Sequence, residues 1–144
     1  MSQMTDYLEN QLIDHIFRTA TFAKPASLYI GLFTSAPSDS SLGTEVVGGS
    51  YARVQLNPLN SNWEATQGGI VGASSGISGA TQNFVAITFP APTANWGVIT
   101  HVQIFDAVVA GNPLVYGTLT VPKTVNSGDA APSFAAGALD IIFA

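Results

Sequence analysis

Residues 98–105 read VITHVQIF, and the spacing of their side chains decides the class of fold. Val98, Val102 and Ile104 alternate with Ile99, His101, Gln103 and Phe105, the period of two that places successive side chains on opposite faces of a strand. Downstream, Asp106–Asn112 reads as a connection and LVYGTLTV at 114–121 as a second strand. Turn-forming residues fill Pro122–Asp129, and Leu139–Phe143 supplies a last strand.

Upstream, Asn83–Phe89 carries Val85, Ile87 and Phe89 on one side until Pro90 ends it. Leu28, Ile30 and Leu32 face one way and Tyr29, Gly31 and Phe33 the other, which predicts a strand covered on both faces, or one with a face against a partner. Ser35–Gly43 (SAPSDSSLG) is a loop by composition. The next strand, Ser50–Leu56, is expected to turn Ala52, Val54 and Leu56 inward and Tyr51, Arg53 and Gln55 outward. The gaps are too short for crossover helices, so seven or eight antiparallel strands are expected. They should form a β-sandwich or a Greek-key, jelly-roll-like barrel in one domain spanning residues 1–144.

One helix interrupts the β pattern, at about Asp6–Arg18. Thr5 can cap it, and Asp6 and Glu9 suit the positive end of its dipole. Leu8, Leu12 and Ile16 fall four apart, with Ile13 and Phe17 widening the stripe. Asn57–Gln82 is the irregular part, with Trp63, many Gly and Ser residues and one short apolar pair, Ile70–Val71. A loop this long in a compact domain tends to be functional or mobile.

Charge is scarce. The chain of 144 residues has four basic and nine acidic residues, 9% in all, and a net charge of −5. A typical domain has about 25%. A monomer of this size exposes roughly 7,000 Å², so charges are spaced at about one per 540 Å². Interface cores are depleted of charge, which points to a surface partly covered in the working state. Arg18, Lys24, Arg53 and Lys123 form no cationic run of the kind that displaces counterions from nucleic acid or binds anionic lipid. No apolar stretch approaches the roughly 20 residues of a membrane span, and MSQMTDYLEN does not resemble a signal peptide. Cysteine is absent, so no disulfide or thiolate metal site is expected.

Chemistry has few footholds. Gly72-Ala73-Ser74-Ser75-Gly76 fits the nucleophile-elbow pattern, but no helix-like run follows it and no histidine lies downstream. His15 and His101 are too few for a multi-histidine metal site, and the acids lack calcium-loop spacing. No phosphate-cradling glycine motif occurs. The expectation is therefore a non-enzyme without cofactor or metal. A carbohydrate site lined by Trp63, Trp96, Tyr51 and Tyr116 is the binding-module alternative.

The segments PASLYIGLFTSAPSD, GGSYARV, ITFPAPTANWGVITHVQIFDA, GNPLVYGTLTVPKTVNSGD and ALDIIF, with the opening DYLENQLIDHIF, resemble a family of small tailed-phage virion structural proteins, labelled head-decoration or tail-fibre-like. The resemblance covers nearly the whole chain and departs in a longer middle, at about residues 60–80. It implies location on the virion and a packing role, first as a capsid decoration (cement) protein on the major capsid protein. A tail, neck or tail-fibre component contacting tail proteins or the host surface is the alternative. Copies of the chain itself are a further expected partner, in a homo-oligomer, whereas nucleic acid and membrane are not. The candidate contact residues are Leu8, Leu12, Ile16, Pro37, Leu42, Trp63, Ile70, Val71 and Trp96.

Overall fold

A computed structural model describes residues 2–65 and 79–143. The chain is mainly β with antiparallel pairing throughout and one helix near its N-terminus. The described elements are β1 (Ser2–Met4), α1 (Asp6–Phe17), β2 (Tyr29–Phe33), β3 (Val54–Gln55), β4 (Ala80–Gln82), β5 (Ile87–Thr88), β6 (Gly97–Phe105), β7 (Pro113–Val125), β8 (Ser133–Phe134) and β9 (Asp140–Ile142). Five strands form one sheet in the order β1-β7-β6-β2-β3, and β4-β9 and β5-β8 form separate ribbons. Ile87, Phe89, Leu139 and Ile141, on or beside the ribbons, share one core cluster with Ile30, Leu32, Val102, Ile104 and Val115 of the sheet. The ribbons thus form a second layer against one sheet face, the sandwich-like way for half-apolar strands to hide that face.

The β2 reading holds: Ile30–Phe33 are all buried. In β6 the face assignment changes partway. A register shift separates the pairs Ile99–Lys123 and His101–Thr118. One residue of β6, Thr100, therefore faces four of β7, Leu119–Pro122. That bulge puts Ile99 (1% exposed) in the core with Val102 and Ile104, and leaves Val98, expected beside them, 47% exposed. It also corrects the turn expected from Pro122, because β7 runs on to Val125. A proline lacks only its N–H, which an unpaired bulge residue does not need.

The strand expected over Ser50–Leu56 shrinks to Val54–Gln55. Gly48, Gly49 and Ser50 all take left-handed backbone conformations, φ +73°, +56° and +65°, and turn the chain just before it. The inward and outward assignments hold there for Leu56, which is buried, and Gln55, which is exposed, but fail for Ala52 and Arg53. Ala52 is exposed, whereas the Arg53 side chain is 7% exposed. Asn83–Phe89 keeps only Ile87–Thr88 as strand, with Val85 left 38% exposed. Neither β1 nor β8 was legible, being three and two residues long.

Helix α1 begins where expected. Thr5, fully buried, accepts the Leu8 N–H on its hydroxyl and donates that hydroxyl to the Pro113 carbonyl at 2.6 Å. One side chain thus caps the helix and ties it to the start of β7. The apolar stripe is used unevenly. Leu8 is buried and Leu12 half-buried, but Ile13, Ile16 and Phe17 are 51%, 64% and 79% exposed.

On the sheet face away from the ribbons, Phe33 stacks on Phe105 with centroids 6.1 Å apart. Gln103 lies on this face, 1% exposed, and its amide has no hydrogen-bond partner among the described residues. Nothing in the structure explains why an amide stands there.

Candidate contact surfaces

The loops over this sheet face are held by a small polar hub. Glu45 crosses Gly31, whose bare backbone leaves the room: a Cβ there would sit 3.0 Å from Glu45 Oε1. Arg53 grips Glu45 with two bonds, Nε to Oε1 at 2.8 Å and Nη2 to Oε2 at 2.7 Å. Its Nη1 donates to the carbonyls of Ala107 and Ala110 at 3.0 and 2.8 Å. The guanidinium carbon lies 3.4 Å from the Phe105 ring centroid. The Tyr51 hydroxyl donates to Glu45 and accepts the Leu32 N–H, both at 2.9 Å. This hub was not anticipated. The available signal was scarcity: opposite charges eight residues apart, across a Gly-Gly turn, in a chain with almost no others.

A second tether holds the Ser35–Gly43 loop. The Asp39 carbonyl accepts the Asp6 N–H at 3.0 Å, and its carboxylate accepts the Tyr116 hydroxyl. That hydrogen bond, then burial, then the neighbouring charges of Asp39, Glu9 and Asp6, push the Tyr116 phenol from 10.0 up to about 12. A raised folded-state value means the bond stabilises fully below pH 10.0, the ordinary tyrosine value, and is lost as pH rises through about 12. The urea midpoint of the native chain should fall across that window. Tyr116→Phe should be less stable at neutral pH and show a shallower alkaline decline. An unchanged decline in the variant would remove Tyr116 from this role. Burial also raises the Tyr51 phenol, and the carboxylate of Glu45 adds to it.

The predicted contact residues divide sharply. Leu8 (7% exposed) and Trp96 (5%) belong to the core, and Pro37 is buried. Each was a candidate for an outside partner and is covered instead by this chain. Trp96 edges onto Tyr51 with centroids 5.3 Å apart and donates Nε1 to the Gly49 carbonyl at 2.9 Å. Leu42 and Ile16 do face outward, at 46% and 64%. Leu12 and Trp63 are half-buried against the core. Ile70 and Val71, and the Gly72–Gly76 motif with Ser74, lie outside the described residues.

Three of the four aromatics proposed for a sugar site are internal: Tyr51 also stacks on Phe89, Trp96 is core and Tyr116 is tied to Asp39. Trp63 lines an open apolar groove. This groove, of about 350 Å³, runs between α1 and the Pro58–Ala65 stretch and is lined mainly by apolar side chains, among them Phe22, Leu28, Leu59, Trp63 and Phe143.

The two histidines and Asp106 are engaged locally. His15 Nδ1 accepts the Phe22 N–H at 3.2 Å. His101 Nδ1 lies 2.7 Å from Thr100 Oγ1, and burial lowers its pKa. The Asp106 carboxylate closes its own loop on Asn112, at 2.7 Å to both the backbone N–H and the side-chain amide. Among the described residues no three His, Cys, Asp or Glu side chains converge as a metal site would require, and no helix is long and apolar enough to cross a membrane.

No curated protein matches the sequence. A family model described as Podophage GP4 fiber I protein gp80 matches residues 3–142. That span takes in the capped helix, the five-stranded sheet and the polar hub, and through it the chain belongs to this family of phage virion structural proteins.

Proposed function

We propose that the chain is a fibre subunit of the phage particle that works by packing against other virion proteins, without catalysis and without a cofactor. The family match over residues 3–142 carries this reading. From sequence, decoration of the head shell stood first and a tail, neck or fibre position second. The fibre description of the family favours the second, so tail or neck proteins are the preferred partners over the major capsid protein. The distribution of side chains is consistent with packing. The histidines and Asp106 are committed to local hydrogen bonds, while Ile13, Ile16, Phe17, Leu42 and Leu59 remain half or more exposed or close to it. Further copies of the chain are proposed as neighbours.

Cryo-electron microscopy of the intact particle tests the position. Density for this chain in fibres on the tail or neck is the expected result. Density bridging capsomers over the head shell would overturn it in favour of the cement role.

A further inference from the structure

We propose that α1 carries a self-association surface, and that its occupant is α1 of a second copy, laid antiparallel across a two-fold axis. Ile13, Ile16 and Phe17 stand at i, i+3 and i+4, so they form one outward patch at the C-terminal half of the helix. Their 51%, 64% and 79% exposures leave roughly 350 Å² of apolar side chain in water, the size of the largest patch on an ordinary monomer. Stable pairs bury roughly 800 Å² per partner. The patch supplies nearly half of that, and the exposed residues at both ends, Glu9, Asn10 and Thr19–Thr21, can supply much of the remainder.

Charge sets the direction. The acids Asp6 and Glu9 occupy the first turn, while Arg18 and Lys24, half of the basic residues in the chain, follow the last turn. A parallel pair would bring acid to acid and base to base. An antiparallel pair places each acidic end beside the partner's basic end and opposes the two helix dipoles. Arg18 already pairs with Asp14 at 3.0 Å, but both side chains are exposed and such a pair is weakly held. Two-fold symmetry makes the contact isologous, with Ile16 beside the axis and Ile13 reaching toward the partner's Phe17.

The proposal does not depend on where the particle carries the chain, so it can fail or hold independently of the fibre reading. The test uses purified full-length protein in sedimentation equilibrium across the micromolar range. Dimerisation is expected. The double substitution I16K and F17K should weaken it about tenfold or more, with an unchanged melting curve at dilutions where both proteins are monomeric, because both side chains lie on the monomer surface. The native chain has no cysteine, so a single Ile16→Cys should form an intermolecular disulfide on mild oxidation. Val109→Cys, 77% exposed on the Asp106–Asn112 connection, should not. A wild-type protein that stays monomeric overturns the proposal, as it would if this face were reserved for a different protein. So does a dimer that survives the lysine substitutions, or one that cross-links through Val109→Cys and not through Ile16→Cys.

Discussion

Replacing Arg53 with alanine is expected to cost about 3–5 kcal/mol of folding stability, the range seen when one partner of a buried ion pair is removed. The attraction between Arg53 and Glu45 is not the main reason, since the desolvation of both charges offsets much of it. The loss comes from what remains. Glu45 keeps a carboxylate three-quarters covered with only Tyr51 among the described residues to answer it, the Ala107 and Ala110 carbonyls lose their donor, and the Phe105 face loses the guanidinium above it. Domains are stable by roughly 5–15 kcal/mol in all, so the variant should sit near unfolding at 37 °C.

Companion variants separate the causes. Arg53→Lys keeps the charge but has no planar fork to serve a carboxylate and two carbonyls together, so an intermediate loss is expected. Adding Glu45→Gln to Arg53→Met should recover part of the deficit, because no charge is then left buried. Urea unfolding at neutral pH reads all of these. If Arg53→Ala lowered stability by less than about 1 kcal/mol, the pair would be behaving as a screened surface bridge and the hub would have no structural weight.

Asn83→Ala should be nearly as damaging, at about 3–5 kcal/mol, for a reason that involves no charge. Asn83 is fully buried and all its side-chain bonds are directed at backbone. Its Nδ2 donates to the carbonyls of Val85 and Ala135, and its Oδ1 accepts the Leu139 N–H, each at 2.8 Å. Its own carbonyl accepts the Gly137 N–H at 2.7 Å. One amide thus joins the approach to β5 with the Ala135–Leu139 turn between β8 and β9. Alanine leaves the buried Leu139 N–H and the two part-buried carbonyls of Val85 and Ala135 unpaired, at about 1–3 kcal/mol each where water cannot reach them, and less for the carbonyls that water can. Asn83→Asp offers a sharper test. Its carboxylate would face two carbonyl oxygens that need donors, so its deficit should match that of alanine at neutral pH and narrow as the pH falls and the carboxyl is protonated. An Asn83→Asp deficit independent of pH would mean the site is open to solvent.

How much of this was legible beforehand varied by residue. Helix α1 was readable to its cap because Thr5, Asp6 and Glu9 act within one turn and need nothing distant. Strand β2 and most of β6 were readable because apolar residues on both faces require two covering layers. The polar hub and Asn83 were not. Glu45 meets Arg53 across a turn, and Asn83 meets Ala135 and Leu139 more than fifty positions away. No local pattern marks a residue whose partners arrive only when the layers close.

The sequence by itself determined the class of this protein: antiparallel strands with a single capped helix, a surface poor in charge, and a lineage of phage virion proteins carried by structural segments. Only the tertiary structure decided which face each residue occupies. A bulge at Thr100 moved Ile99 inward and Val98 outward, three left-handed residues cut the third strand short, and burial took Leu8, Pro37 and Trp96 away from any partner while leaving Ile13, Ile16 and Phe17 in water. The physical reason is that periodicity is a property of one segment, whereas burial is a property of whatever folds back to cover it.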